Sequence, residues 1–198
     1  MTESDPLHSL SNLPRAQRWR EQGFPAASVL ALIRHPQSEG GILLIRRQKE
    51  PYSGKWGLVG GRWEFGETLD GAILREVAEE TGLQAEFVAL RGLVNERIAP
   101  VDAEGNGAHF VLFVCELTAP DGNAQEQAEG PVAWFSPAEL TRLADQGRII
   151  ASDYAIIQRF SSAGDGLSYI EAEVLSGGQG EGVERLLRFA PGPELQSL

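Results

Sequence analysis

Between Gly61 and Leu83 the chain reads GRWEFGETLDGAILREVAEETGL, and its acidic residues stand at spacings that a helix would gather. At about 100° per residue, Arg75, Glu79, Glu76 and Glu80 fall in that order within about 140° on a helical wheel. Like charges four apart cost a helix roughly a few tenths of a kcal/mol, so three neighbouring carboxylates need a compensating partner. Arg75, four residues before Glu79, offsets part of the repulsion. Crowded oxygen ligands are what a hard divalent cation requires, which points to Mg²⁺, with Mn²⁺ as the alternative. Gly60, Gly61 and Gly66 precede this stretch and open backbone conformations closed to other residues, letting a carbonyl turn toward a metal held at the helix.

Other chemistry-bearing residues lie around this segment. Arg46 and Arg47 could grip a phosphate bidentately, and Trp56 and Trp63 could stack on a base. His8, His35 and His109 are scattered, with no ligand-type neighbours at metal spacing. Cys115 sits in an apolar run and reads as a small core residue. Neither a Gly-x-x-x-x-Gly-Lys-Ser/Thr phosphate loop nor a Gly-x-Ser-x-Gly nucleophile turn is present.

The element that must position the carboxylates is a helix from Leu69 to Thr81: Leu69, Ile73 and Val77 recur four apart, Thr68 serves as N-cap and Gly82 as left-handed C-cap. Ala27 to Ile33 and Gly41 to Ile45 read as two buried strands joined as a hairpin. The Gly-, Pro- and Ser-rich stretch from Glu50 to Gly66 reads as a long functional loop. Glu86 to Val94 and Ala108 to Leu117 are β-rich runs flanking a Gly105-Asn106-Gly107 turn signal, and Val132 to Phe135 is a further strand. Ser136-Pro137 opens a helix running to about Asp145; a second helix covers Ser152 to Phe160. Leu167 to Leu175 and Val183 to Phe189 suggest a terminal hairpin.

A length of 198 residues allows one domain with something added. The composition, 42% hydrophobic and 23% charged, is that of a folded protein. Seventeen Lys and Arg against 28 Asp and Glu give a net charge of -11, which argues against a nucleic-acid partner. One cysteine excludes an internal disulfide framework and a multi-Cys zinc site. Residues 1–25 show no sustained apolar stretch, so neither a signal peptide nor a membrane span is expected and a cytoplasmic location is.

Gly61, five residues, Glu67, seven residues, then Arg75-Glu76-Val77, one residue, Glu79-Glu80, one residue, Gly82-Leu83 resembles the full Nudix box, every fixed position included. Nine restricted positions over 23 residues make this a specific match. The resemblance implies an α/β fold of the α+β type, an α/β/α sandwich around a mixed sheet, in residues 26–162. Residues 1–25 form an arm and 163–198 a C-terminal hairpin extension. Because a two-stranded hairpin alone is marginal, it must pack on the core or on a second copy, and a homodimer is expected.

The activity implied is metal-dependent hydrolysis of a nucleoside diphosphate linked to another group. Glu76, Glu79 and Glu80, with the Gly61 carbonyl, resemble the family's metal ligands, and Glu67 and Arg75 the pair that braces the loop against the helix. Water is the nucleophile. The general base is either Glu79 or a downstream residue, Glu126 or Glu129, in the loop 121–130. Where members commonly have Leu-Pro-Gly-Gly, this chain has Leu58-Val59-Gly60-Gly61; the missing proline bears on loop stiffness and not on catalysis. Gly54-Lys55-Trp56-Gly57 and Pro100, seventeen residues after Leu83, are similar to features of ADP-ribose pyrophosphatases. That implies ADP-ribose as substrate, yielding AMP and ribose 5-phosphate. Cleavage of nucleoside triphosphates, oxidised ones included, is the alternative, and a non-catalytic nucleotide sensor the alternative of another class.

Overall fold

The computed structural model describes residues 24–38, 40–48, 52–99, 108–161, 167–175 and 185–191. The apolar runs and helical periods of the chain resolve into β1 (Ala26–Arg34), β2 (Ile42–Arg46), β3 (Trp56–Arg62), α1 (Leu69–Thr81), β4 (Glu86–Ala99), β5 (Ala108–Thr118), β6 (Val132–Phe135), α2 (Pro137–Asp145), α3 (Ala151–Phe160), β7 (Ser168–Leu175) and β8 (Arg185–Pro191). Among the described residues the strands form one mixed sheet in the order β6-β2-β3-β1-β5-β4-β7-β8. β1 runs parallel to β5 and β4 parallel to β7; the other neighbours are antiparallel.

Side chains alternate across a strand, and β1 shows both faces at work. Val29, Ala31 and Ile33 join Val59, Cys115 and Leu117 beneath α1, which contributes Ala72, Ile73 and Val77. Leu32 turns the other way, to Leu44, Leu58 and Val114, and is covered by Leu140 and Leu143 of α2 and Ile156, Ile157 and Phe160 of α3. The helices therefore sandwich the sheet. α1 begins where Thr68 Oγ1 accepts the Gly71 N–H at 3.2 Å and ends at Gly82 with φ 68°. α2 opens on a capping box between Ser136 and Glu139.

Two expectations are corrected. The stretch read as one loop from Glu50 to Gly66 contains β3, because its glycines serve packing and not looseness. A Cβ at Gly57 would stand 2.7 Å from Asp153 Oδ2 and 2.8 Å from Ile150. The same Asp153 Oδ2 accepts the Leu58 N–H at 2.8 Å, fastening α3 to β3. Second, β4 continues to Ala99, five residues past the predicted end, because its outer half gains a parallel partner in β7. The expected terminal hairpin is present, β7 pairing antiparallel with β8, and it packs on the core, one of the two places expected for it. β7 buries Ile170, Ala172 and Val174 against the core, Phe189 of β8 packs beside them, and Arg97 reaches Glu171 at 2.7 Å and Glu173 at 2.9 Å across the β4–β7 pair. The hairpin's need for a partner, the reason to expect a homodimer, is met within the chain. The glycine turn at 105–107, Pro100, His8, nearly all of the N-terminal arm and the 177–182 glycine run lie outside the described residues. Among the described residues no helix is long and apolar enough to cross a membrane.

Candidate active site

The corner where β3 runs into α1 collects the acidic residues. β3 enters beside β1, with Gly61 paired to Val29 and Gly60 to Leu30. Gly60 has φ 148°, and a Cβ there would lie 2.1 Å from the Val29 carbonyl oxygen, so only glycine permits this approach. One residue on, a Cβ at Gly61 would meet all three carboxyl atoms of Glu76 at 2.6 Å. The Glu76 carboxylate thus lies directly over the Gly61 backbone, and glycine leaves the space it occupies.

Arg75 holds the loop to the helix. Its Nε and one terminal nitrogen donate to the two oxygens of Glu67 at 2.7 and 3.0 Å, and the latter nitrogen also donates to the Arg62 carbonyl at 3.2 Å. The remaining nitrogen reaches Glu76 Oε1 at 2.8 Å and Glu79 Oε2 at 3.3 Å. Glu67 is fixed further by the Glu64 N–H at 3.1 Å, and its carbonyl accepts the Trp63 indole at 3.0 Å. The Arg75 guanidinium beside it holds the Glu67 carboxyl below its ordinary range.

Glu80 behaves differently. It is 4% exposed and accepts the Gly60 N–H at 2.9 Å. Burial pushes its carboxyl up to about 8; the Gly60 bond pulls the other way, while Glu129 and Glu76 add to the rise. Burial also raises Glu76, against the pull of Arg75. Glu79, with its side chain 60% exposed, is the most accessible of the three.

Among the described residues no three acidic, His or Cys side chains already form a closed metal cage. The reason is visible in Arg75, which occupies one oxygen each of Glu76 and Glu79. The donor set still fits a hard divalent ion. It is all oxygen, it sets the Glu76 carboxylate against the Gly61 backbone, and burial disfavours the charged forms of Glu76 and Glu80, a cost that a cation would relieve. Mg²⁺ keeps several of its own waters and needs few protein oxygens.

The other predicted residues separate. An open pocket of about 310 Å³, mouth included, is lined by Ile45, Arg47, Gln48, Glu80 and Glu129. Arg47 and Glu129 are therefore brought to the box. Arg46 is turned aside, its Nε donating to the Gly54 carbonyl at 3.1 Å, and Glu126, on the loop that carries Glu129, is exposed and does not line the pocket. Trp56 is half-buried against the core, its ring meeting Phe135 edge to face at 4.7 Å, and it does not line the pocket. Trp63 likewise packs edge to face on Phe113 at 4.9 Å. Gln48 is a pocket residue that sequence reasoning missed. It stands in an irregular segment where no periodicity marks which side chains face inward.

A mixed sheet sandwiched between helices, with a glycine-lined strand end feeding a glutamate-rich helix, defines a class of hydrolase that works on phosphate anhydrides. The NUDIX domain family model matches residues 24–159, more than half of the chain, and the chain belongs to the Nudix family of pyrophosphatase-type hydrolases, which generally depend on divalent metal. It is 30% identical over 138 residues to an ADP-ribose pyrophosphatase of Methanocaldococcus jannaschii, covering 70% of this chain and 78% of that one. It is 47% identical over 118 residues to the human 8-oxo-dGDP phosphatase NUDT18, covering 57% of this chain but spanning only 32% of the relative. A MutT protein structure from Bacillus halodurans shares the fold at TM-score 0.57 and 20% identity, covering 85% of this chain and 99% of that one.

Proposed function

We propose that the chain hydrolyses the diphosphate bridge of a nucleoside diphosphate derivative, with ADP-ribose as substrate and AMP and ribose 5-phosphate as products. The observation that carries this reading is the pocket that Arg47, Gln48, Glu80 and Glu129 line together beside the box helix. Mg²⁺ held by Glu76, Glu79, Glu80 and the Gly61 carbonyl would offset the repulsion between these carboxylates and a diphosphate, polarise a phosphoryl oxygen and acidify a water. Arg47 presents a guanidinium to the non-bridging oxygens. Glu129 takes the proton of the attacking water, because it lines the pocket with Glu80, whereas Glu79 does not line it and is tied to Arg75. The new bond is water oxygen to phosphorus and the bond broken is the bridging P–O, leaving two phosphate monoesters. The free, buried Cys115 suits a cytoplasmic setting.

ADP-ribose is favoured by the archaeal relative, whose similarity runs along most of both chains. The higher identity to an 8-oxo-dGDP phosphatase supports a second reading, oxidised nucleoside di- or triphosphates, over a shorter span. The deciding measurement is kcat/KM for ADP-ribose against 8-oxo and ordinary nucleotides under one Mg²⁺ condition. A preference of about tenfold or more for ADP-ribose is expected; the reverse preference replaces the substrate and leaves the site intact.

A further inference from the structure

The two walls of the pocket come from segments far apart in the chain, residues 46–48 leaving β2 and residues 121–130 returning from β5, and they meet at one crossing. Gly130 is buried there with φ 140°. A Cβ on it would lie 2.4 Å from the Arg46 carbonyl oxygen and 3.2 Å from Gln48 Cγ. The first distance is far inside van der Waals contact, and the obstacle is backbone, so any side chain would force the strands of the crossing apart.

Hydrogen bonds pin the loop on both sides of that point. The Arg46 N–H donates to the Pro131 carbonyl at 2.8 Å, and the Gly130 N–H to the Gln127 carbonyl at 3.2 Å. At the other end the Gln125 N–H donates to the carbonyl of Thr81, the last residue of α1, at 2.8 Å. The loop is thus a bridge from β2 to the helix that carries Glu76, Glu79 and Glu80. Glu129 sits one residue before the crossing and Arg47 one residue after it on the opposing strand.

We infer that Gly130 is a positioning residue: the crossing that only glycine allows sets the gap between the Arg47 wall and the Glu129 wall, and so fixes the reach of Glu129 over the diphosphate. The inference rests on Glu129 as the proton acceptor proposed above and adds what holds it there. Gly130 touches no substrate; it acts through Glu129.

The test compares Gly130→Ala with Gly147→Ala in the full chain. Gly147, in the turn between α2 and α3, also has positive φ (64°), but a Cβ there would meet nothing within 4 Å. Both substitutions strain the backbone, and only the first adds a collision. At equal folded fraction, Gly130→Ala should lower kcat about tenfold or more with KM within about threefold, as a misplacement of order 1 Å does. Gly147→Ala should do neither. In a Glu129→Gln background, Gly130→Ala should cost almost nothing further, since its effect passes through the missing carboxylate. Amide exchange at Arg46 should quicken in Gly130→Ala alone, a readout that needs no substrate. Wild-type kcat in Gly130→Ala, unchanged Arg46 exchange, or a full additional loss on top of Glu129→Gln would each overturn the inference. A wild-type protein that cleaves no member of the nucleotide panel would instead overturn the proposed function, and the exchange comparison would still decide whether Gly130 seats the loop.

Discussion

Two glutamates are almost equally buried, Glu80 on α1 at 4% exposure and Glu116 on β5 at 8%, yet their surroundings pull in opposite directions. Burial raises both carboxyls. Around Glu116 two guanidiniums outweigh it: Arg34 Nε donates at 2.8 Å, Arg91 donates to the other oxygen, and the carboxyl ends below its ordinary range. Arg34 also donates to the carbonyls of Phe160, at 3.4 Å, and Ser161, at 2.9 Å, tying the end of α3 to the sheet. Around Glu80 the neighbours are Glu129 and Glu76, one backbone N–H is the stabilising partner, and the carboxyl ends high. A charge that serves the fold is matched within it. A charge kept against its neighbours stores an unmet demand for a cation, and that mismatch marks the working corner.

Substituting the two residues should separate the roles. Glu80→Gln keeps permanently neutral a side chain whose charge burial and the neighbouring carboxylates disfavour, so without metal the fold should be as stable as wild type or slightly more so, while turnover should fall by about two orders of magnitude or more on losing a ligand to the charge-stabilising ion. Glu129→Gln should lower kcat by a comparable factor, about 10². Glu126→Gln, on the same loop but exposed and away from the pocket, should stay within about twofold of wild type, the usual range for a surface change. Steady-state kinetics with Mg²⁺ beside urea unfolding in EDTA reads all three. If Glu80→Gln unfolds without metal, Glu80 is a structural residue and the contrast with Glu116 fails.

Glu116→Gln should show the mirror image. It leaves two guanidiniums facing an amide, and because both arginines remain partly exposed the cost is moderated to about 2 kcal/mol, roughly a 30-fold loss in the folding constant. The kcat/KM of the folded fraction should be unchanged within about twofold, since no atom of this cluster reaches the pocket. A urea midpoint equal to wild type would show that the cluster is ornamental.

The helix with its caps and its acidic face was legible because period, capping residues and charge all point to one answer in a contiguous segment. The brace of Glu67 and Arg75, eight residues apart, was expected only through the resemblance to the Nudix box, and the two side chains do pair. What was not legible depends on residues brought together from distant places. β3 hid among glycines whose function is to let Asp153 and Val29 approach, and neither neighbour is signalled nearby in sequence. Arg46 and Arg47 are adjacent and chemically identical, so only the pairing of Arg46 with Gly54 shows which of them points to the pocket. Nothing near Trp56 in the sequence signals its contact with Phe135 of β6. Glu126 and Glu129 are equivalent in the sequence, and only Glu129 lines the pocket.

The smallest effect, and the finest test of the comparison, is in pH. Glu80 titrates at an ordinary 4.5 in the unfolded chain and near 8 in the fold, so between those values the folded state holds the extra proton. Its contribution to stability is complete below about 4.5 and drains away as pH rises through 8. Glu116 has the opposite sign: its contribution is complete above about 4.5 and is lost as pH falls through its lowered value. In EDTA the melting temperature should therefore drop by a few degrees, roughly 2–4 °C for each kcal/mol, from about pH 5.5 to pH 8.5. Glu80→Gln should flatten that slope, and Glu116→Gln should lower the whole curve there without flattening it. Saturating Mg²⁺ should weaken or reverse the slope, because the ion binds only the deprotonated carboxylates and gains hold as pH rises. A metal-free melting temperature that climbs over this interval, or a slope that survives Glu80→Gln, would show that the buried carboxylate on α1 is matched after all.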